Sequence, residues 1–406
     1  HAGGVGGVPT AAFAELRGRP DVPLAVERLP PSSSNSLVRY GDRLLLKVFR
    51  HLEPGANPDF EIGRFLTEGG VFTRIPRVAG GLEYHRAGSP SMTVAILQAM
   101  VANQGDAWQH FLDQLTPYFE RAAAQGAAPP AEEDRPLPGW AVAEPPPQIA
   151  RLIGSYLDAA ATLGRRTAEM HRALARATGD PAFAPEPMTA DDVRTLAAEV
   201  VTLGNRALTG IREHVSQLPE TVRPAAERLL AEGPAVLERL GRAPGIRPGA
   251  LKTRTHGDYH LGQVLRADDD FIILDFEGEP ARSLEERRRK QSPLRDVAGM
   301  LRSFDYGAYA GLFRFTNDRS DDFGRLEPWA ALWQAWTSAA YLRAYRDAAA
   351  GAPFLPADPG QLDALLDFFM LDKAFYELLY ELNNRPDWVR IPLRGILALL
   401  DRGRRP

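Results

Sequence analysis

The sequence contains no cysteine. This excludes disulfides, thiolate metal sites and cysteine nucleophiles, and it is compatible with a reducing cytoplasm. No apolar run approaches the roughly 18 to 20 residues that span a bilayer, and the first residues lack the charged and apolar regions of a secretory signal. We therefore expect a soluble, cytoplasmic protein with no membrane partner.

A strong net charge is also missing. The formal net charge is -4, which provides no basic surface of the kind that binds duplex nucleic acid. With 406 residues, of which 44% are hydrophobic and 25% charged, the chain has the composition of a folded protein with room for more than one core. Nucleic acid is therefore not an expected partner.

Lysine is scarce, since only four of the 48 basic residues are lysines. One of them, Lys47, lies in the apolar run RLLLKVFR, where alternation with period two puts it on one face with Leu45 and Phe49. A lysine on such a face needs a carboxylate partner or an anionic ligand. Glu61, near the start of the next predicted helix, is the carboxylate that we expect to orient Lys47.

The spacing of apolar residues changes along the chain. Residues 1–10 are rich in glycine and are expected to be a linker or a remnant of cloning. Residues 11–103 carry short apolar runs between turn residues and one helix that begins with Asn-Pro at 57, which predicts a small, mostly β N-lobe. Residues 104–406 carry apolar residues at helical spacing, which predicts a large, mostly α C-lobe. The expected fold class is therefore α+β.

Two polar segments interrupt the predicted C-lobe, RTHGDYHLGQVLR at 254–266 and LDFEGEP at 274–280. His256 and His260 are four residues apart, as two zinc ligands on a helix would be, but a glycine lies between them and a strand-like run follows. A serine hydrolase elbow and a Walker-type phosphate loop are both missing from the sequence. An ordinary polar turn remains the alternative for each residue taken alone.

Phosphoryl transfer accounts for several of these residues together. It requires a carboxylate that accepts the proton of the acceptor hydroxyl, ligands for magnesium and a cation near the phosphates. Asp258 can serve as the base, and Gln263 and Asp275 can bind Mg²⁺. A loop, strand, turn and strand would bring these three residues to one end of a hairpin. The sequence thus favours a phosphotransferase that uses ATP and Mg²⁺, with Lys47 near the phosphates.

These segments resemble a known family. LLLKVFR, THGDYHLGQ and LDFEGEP are similar to the aminoglycoside-phosphotransferase branch of the eukaryotic-like kinases, and SNSLVRYGDRLLLKVFR and YELNNRPDWVRIPL resemble the maltokinases. The resemblance runs from about residue 22 to 400, with no cap subdomain ahead of Val22. It implies a two-lobed protein-kinase-like fold, phosphorylation of maltose to maltose 1-phosphate with ATP and Mg²⁺, and trehalose synthase as a fused or associated partner.

The resemblance also implies roles for individual residues. Asp258 would be the catalytic aspartate, Gln263 and Asp275 would bind magnesium, and Lys47 would pair with Glu61 over the phosphates. Further nucleotide contacts are expected from the segment PSSSNS and from LQAM at 97–100, namely Ser33, Ser34, Ser36, Gln98 and Met100. The expected sugar contacts are His260, Tyr376, Glu377, Tyr380, Glu381, Asn384 and Trp388.

Two other functions fit the same features. One is a kinase for another small sugar or amino sugar, such as glucosamine, which would share the ATP machinery and differ in the residues around 376–388. The other is a non-catalytic module that binds ATP or sugar for a trehalose synthase. The basic run ERRRK at 286–290 is expected to be a solvated face.

Overall fold

The computed structural model describes residues 3–31, 35–126, 128–129, 141–243 and 245–402. The chain forms two compact units: unit 1 comprises residues 1–109, 169–184 and 254–291, and unit 2 comprises residues 110–168, 185–253 and 292–406. The sequence predicts the segments 254–266 and 274–280 in the helical lobe. In the structure they belong to unit 1, together with the N-terminal strands.

Within the described residues, the strands form one six-stranded antiparallel sheet and two two-stranded antiparallel pairs. Six strands of unit 1 pair in the spatial order β1-β5-β6-β4-β3-β2, and β9 and β10 form a hairpin in the same unit. In chain order the strands are β1 (Gly4–Pro9), β2 (Val26–Arg28), β3 (Asn35–Tyr40), β4 (Leu44–Phe49), β5 (Val78–His85), β6 (Met92–Ala99), β7 (Glu186–Pro187), β8 (Leu251–Lys252), β9 (Val264–Ala267) and β10 (Asp270–Ile273).

Helices make up most of unit 2 and only a small part of unit 1. This combination confirms the expected α+β class. In chain order the helices are α1 (Phe13–Arg17), α2 (Pro58–Gly69), α3 (Ala107–Ala124), α4 (Pro147–Ile153), α5 (Tyr156–Leu174), α6 (Ala190–His214), α7 (Arg223–Leu240), α8 (Leu284–Arg288), α9 (Leu294–Thr316), α10 (Phe323–Ala348), α11 (Pro359–Asn384) and α12 (Arg390–Arg402). Within the described ranges, none of them is both long and apolar enough to cross a membrane.

The expected linker at residues 1–10 is wrong for its central part, since Gly4–Pro9 form the edge strand β1. Glycine is a poor strand former, so the composition argued against this assignment. The partner strand β5 explains why the pairing is possible. A Cβ atom on Gly80 would lie 2.7 Å from the carbonyl oxygen of Val8. Small residues on β5 therefore permit a close approach of the two backbones.

Helix α2 begins and ends as its sequence predicts. The side chain of Asn57 accepts a hydrogen bond from the backbone N–H of Asp59 at 2.8 Å, and Pro58 occupies the first turn. Gly70 ends the helix in a left-handed conformation with φ of 63°. The helix packs on the sheet through Phe60, which joins a buried cluster with Phe49, Val78 and Ile96. This packing fixes the first turn of α2 beside strand β4.

Candidate active site

Lys47 lies at the centre of a buried ionic cluster in unit 1. Its ammonium group is 2.9 Å from the carboxylate of Asp59, 2.5 Å from that of Asp275 and 2.6 Å from that of Glu277. Only 8% of Lys47 is exposed, so the ammonium group is largely removed from water. The expectation that this lysine has anionic partners is thus met by three carboxylates facing one cation.

The predicted pair of Lys47 with Glu61 is wrong. The carboxylate of Glu61 accepts hydrogen bonds from Arg254 at 2.7 Å and from Arg288 at 2.8 and 3.1 Å. The guanidinium group of Arg254 is fully buried and lies over the ring of Phe183. Glu61 is therefore held by two arginines, and the acidic residue of α2 that meets Lys47 is Asp59.

Asp59 was missed because a charged residue in the first turn of a helix usually faces water. The sequence does contain a signal for its burial. Asp59 precedes Ile62, Gly63 and Leu66 by three, four and seven positions, and all three are buried. This spacing puts the carboxylate on the apolar stripe of α2. A carboxylate on such a stripe needs a buried partner.

The pKa values of the groups in this cluster shift in different directions. Burial alone would lower the pKa of Lys47, but the three nearby carboxylates outweigh it and raise that pKa. Burial would raise the pKa of Asp275, but Lys47 outweighs it and holds that pKa below its usual value. At Glu277 the pKa is raised, first by burial and then by Asp275 and Asp59, against the effect of Lys47. Because three carboxylates face a single ammonium group, the cluster carries an excess of negative charge whenever more than one of them is ionised.

The segment 256–263 lies beside this cluster through two hydrogen bonds of His256. Its Nε2 atom donates to the carbonyl oxygen of Leu274 at 2.7 Å, and its Nδ1 atom accepts from the backbone N–H of Asp258 at 3.4 Å. His256 thus connects the backbone of Asp258 to the residue before Asp275. His260 is 40% exposed in its side chain, and its Nε2 atom is 3.9 Å from the carboxylate of Asp258.

Gln263 and Asp275 meet as the predicted hairpin required. The amide nitrogen of Gln263 donates to Oδ2 of Asp275 at 3.1 Å, which leaves the amide oxygen as its possible metal ligand. Asp275 has a φ of 63°, a conformation that is uncommon for residues other than glycine and that occurs often at functional sites. Asp59, Asp275 and Glu277 have carboxylate oxygens within 4.8 Å of one another. Carboxylate and amide oxygens are the donors that magnesium prefers, so this set fits Mg²⁺.

The predicted nucleotide contacts lie in several places. Ser33 and Ser34 are outside the described residues, whereas Ser36 lies in β3 opposite Val48. Asn35, which the sequence motifs do not single out, is buried and donates its side-chain amide to Glu277 at 2.9 Å. A buried amide at the start of a strand was the available signal for it.

The segment 97–100 runs from β6 into the connection that follows. Gln98 lies in the sheet opposite Leu45 and Val78. The backbone N–H of Met100 donates to the carbonyl oxygen of Arg43 at 2.8 Å. That N–H is engaged within the protein, and a contact of adenine with Met100 stays a prediction. A contact of adenine with Gln98 stays a prediction.

The basic run at 286–290 is not a uniformly solvated face. Arg287 has a side chain that is only 8% exposed; it forms an ion pair with Glu53 and donates to the carbonyl oxygen of Glu277 at 3.2 Å. Arg288 pairs with Glu61. Helix α8 thus connects the segment that follows Asp275 to α2 and to the loop before α2.

The predicted sugar contacts other than His260 lie in unit 2, on α11 and just after it. Glu377 accepts two hydrogen bonds from Arg302 at 2.8 and 2.7 Å, and burial raises its pKa despite that arginine. Glu381 is buried and pairs with Arg385 at 2.6 Å. Both carboxylates are therefore engaged with arginines, and a contact of either with a sugar stays a prediction.

The other predicted sugar residues are more accessible. Tyr380 is 49% exposed, Asn384 is exposed, and Tyr376 is half-buried under Lys373. The indole ring of Trp388 lies against Tyr306 and under the guanidinium group of Arg385, 4.5 Å from the ring centre. These aromatic faces could stack on a sugar ring, and their contacts with a sugar also stay predictions.

Comparison with known proteins gives the same name repeatedly, although no protein-family model matches the sequence. The glucosamine kinase of Streptacidiphilus jiangxiensis is 28% identical over 403 residues, covering 97% of this chain and 78% of that protein. The glucosamine kinase of Mycolicibacterium smegmatis is 27% identical over 396 residues, covering 97% and 82%. A solved structure of glucosamine kinase in complex with glucosamine, ADP and inorganic phosphate matches with a TM-score of 0.64 and 26% identity, covering 93% of this chain and 80% of that one.

These findings correct the expected identity. The resemblance to maltokinases, with maltose as substrate and trehalose synthase as partner, is wrong, and the relatives agree with the alternative of a glucosamine kinase. The error has a chemical cause, since the roles expected of Lys47, Asp258 and Asp275 concern phosphoryl transfer from ATP with a metal, which kinases for different sugars have in common. The expected α+β fold is confirmed, the expected cofactor ATP agrees with the ADP and inorganic phosphate named for the solved glucosamine kinase, and the relatives support kinase activity.

Proposed function

We propose that this chain is a kinase that transfers the terminal phosphoryl group of ATP to glucosamine. The observation that carries the chemistry is the buried cluster of Lys47, Asp59, Asp275 and Glu277 beside the segment that contains Asp258. A cation and several carboxylates at one place are what phosphoryl transfer with a divalent metal requires. The acceptor is taken from the two relatives, which are both named glucosamine kinase.

In this proposal Asp258 accepts the proton of the sugar hydroxyl that attacks the phosphorus atom. The new bond joins the sugar oxygen to the phosphorus atom, the bond from phosphorus to the bridging oxygen of ADP breaks, and the proton moves to the carboxylate of Asp258. His256 fixes the backbone of Asp258 relative to Leu274. His260, close to the same carboxylate and partly exposed, is available to contact the sugar.

Gln263 and Asp275 would hold Mg²⁺, and Glu277 lies close enough to contribute. The bound metal would neutralise negative charge on the phosphates. Lys47 would contact the phosphates with its ammonium group. The excess of carboxylates over this single lysine leaves negative charge for the metal.

The test is phosphate transfer by the purified protein with ATP and Mg²⁺, measured as ADP release in the presence of glucosamine, N-acetylglucosamine, glucose or maltose. We expect kcat/KM for glucosamine to exceed that for each other sugar by roughly tenfold or more, since a site that binds a charged amine is left with unpaired polar groups by the other sugars.

N-acetylglucosamine is the matched comparison, because it keeps the ring and replaces the basic amine by a neutral amide. Equal kcat/KM for these two sugars would exclude recognition of the amine. A protein that releases no ADP with any of the sugars would refute the proposed function.

A further inference from the structure

The beginnings of α7 and α10 and one face of α12 line a cavity of about 670 Å³ in unit 2. We infer that this cavity binds a small sugar phosphate. None of its lining residues is part of the candidate active site or of the predicted sugar contacts. Its volume falls in the range of roughly 300 to 1,000 Å³ that is usual for small-molecule sites, and it exceeds the space that one inorganic phosphate ion fills.

Arg390 brings a guanidinium group with few partners into the cavity. Within the described residues, its only hydrogen bond goes to the hydroxyl of Thr221 at 2.8 Å, and no carboxylate pairs with it. Its guanidinium carbon lies over the ring of Phe323, 4.6 Å from the ring centre, and that ring stacks in turn on Phe313. The aromatic contact holds the guanidinium group in place while most of its N–H groups stay available to an anion.

Arg394 lies four positions further along the same face of α12 and is held in a similar way. Its guanidinium carbon is 4.7 Å from the centre of the Tyr309 ring. Its carboxylate partner is Asp305, which also accepts from the buried Arg302 at 2.6 Å. One carboxylate thus serves two guanidinium groups, and an arginine has five N–H donors. The two arginines of α12 therefore offer more donors than the protein supplies with acceptors.

The cavity also contains acidic groups, which restrict the ligand that it can hold. Arg228 forms ion pairs with Glu232 and Asp401 and so adds little attraction for an anion. Glu327 accepts from the hydroxyl of Tyr309 at 2.7 Å and has no basic partner in the described part of the chain. A carboxylate near two arginines disfavours a ligand that is anionic throughout and can accept hydrogen bonds from hydroxyl groups.

A phosphate monoester of a sugar meets both requirements. Its phosphate can form paired hydrogen bonds with a planar guanidinium group, and its hydroxyl groups can donate to Glu327. The apolar side chains of Val222, Ala225 and Leu397 also line the cavity and suit the C–H faces of a sugar ring. Inorganic phosphate would use only the arginines.

The experiment measures binding of glucose 6-phosphate and of inorganic phosphate to the purified protein by calorimetry. A non-hydrolysable ATP analogue and Mg²⁺ are present in excess, so that the phosphates do not enter the proposed nucleotide site. We expect glucose 6-phosphate to bind with millimolar or tighter affinity and inorganic phosphate to bind roughly tenfold more weakly. Both affinities should fall as the salt concentration rises.

Arg390→Gln removes the charge and keeps a donor for Thr221, so we expect the affinity for glucose 6-phosphate to fall roughly tenfold. Arg390→Lys keeps the charge without the planar group and should weaken binding less, which provides a second variant if Arg390→Gln fails to fold. Arg242→Gln is the matched control, since the Arg242 side chain lies outside the cavity and is 74% exposed. It should bind as the parent protein does, and thermal unfolding checks the folding of each variant.

The inference is overturned if the parent protein does not bind glucose 6-phosphate, or if Arg390→Gln and Arg242→Gln bind it equally well. Inorganic phosphate that binds as tightly as glucose 6-phosphate would also overturn it, because the sugar would then contribute nothing. The measurement involves no phosphoryl transfer, so a protein that does not phosphorylate glucosamine can still confirm this site.

Discussion

Replacement of Gly395 by alanine would disturb a buried ionic network in unit 2. Arg302 is fully buried there, donating to Glu377 at 2.8 and 2.7 Å and to Asp305 at 2.6 Å. Gly395, on α12, faces this guanidinium group, and a Cβ atom built on it would lie 2.3 Å from Nη1 of Arg302. An ordinary contact begins near 3.4 Å, so the guanidinium group must move by about 1 Å.

The expected cost follows from these distances. The guanidinium group is planar and moves as one body, so a shift of this size weakens its bonds to Glu377 and to Asp305 together. Loss of one charge-assisted hydrogen bond on each side costs about 3 to 6 kcal/mol in the free energy of unfolding. Alanine regains about 1 kcal/mol over glycine in a helix. The net loss expected for Gly395→Ala is therefore about 2 to 5 kcal/mol.

Urea unfolding followed by tryptophan fluorescence measures this change, since the chain has six tryptophans. Gly324→Ala is the matched control: Gly324 is exposed on helix α10, and a Cβ atom there would meet nothing within 4 Å. The control should be unchanged or more stable by up to about 1 kcal/mol. If Gly395→Ala is as stable as the control, the close packing of Gly395 against Arg302 does not constrain the fold as we argue.

Asp258→Asn should lower kcat by about a hundredfold or more without changing thermal stability, and Asp269→Asn, at the exposed turn of the hairpin, should leave kcat unchanged; near-normal turnover of Asp258→Asn would contradict its role as base. Burial opposes ionisation of Glu61, but its arginine partners outweigh burial and hold its pKa below the ordinary 4.5. The ionised Glu61 side chain therefore stabilises the fold above pH 4.5, and this contribution is lost as the pH falls through the lowered pKa. The stability difference between the parent and Glu61→Gln, measured by urea unfolding, should accordingly be large at neutral pH and shrink in acid; a difference independent of pH would contradict the ion pairs. Glu377→Gln should reduce the free energy of unfolding by about 3 to 5 kcal/mol, because it leaves the charge of Arg302 partly uncompensated; a change in sugar KM alone, with stability intact, would instead favour a sugar contact.

Local patterns in the sequence predicted much of unit 1. Alternation in RLLLKVFR identified β4 and the inward face of Lys47, and the Asn-Pro signal identified α2. The predicted hairpin placed Gln263 and Asp275 together, and their side chains do form a hydrogen bond. These predictions succeeded because each depends on residues that are close in the sequence or on one simple periodicity.

The partner of Lys47 could not be read in the same way. Asp59 and Glu61 are two positions apart, so their side chains point about 200° apart around the helix axis. Which of them faces Lys47 depends on how α2 is rotated against the sheet. The packing of Phe60 sets that rotation, and Phe60 contacts residues that are distant in the sequence. The apolar stripe through Ile62 and Leu66 would have given the right choice.

The partners of Glu61 and Glu53 depend on tertiary structure for the same reason. Arg254 and Arg287 are about 200 residues away from them in the sequence, and the basic run that contains Arg287 has a composition that is typical of a solvated surface. The acceptor sugar was wrong for a different reason, since the motifs LLLKVFR, THGDYHLGQ and LDFEGEP concern phosphoryl transfer from ATP, and the remaining motif YELNNRPDWVRIPL did not identify the sugar.

The two outer strands of the sheet in unit 1 are poor templates for pairing with another chain. Strand β1 has three glycines among six residues and ends in Pro9, and β2 has only three residues, including the exposed Glu27 and Arg28. Long, flat and apolar edge strands pair with strands of other chains and lead to aggregation. Strand β1 thus occupies one edge of the sheet and offers few side chains against which a strand of another chain could pack.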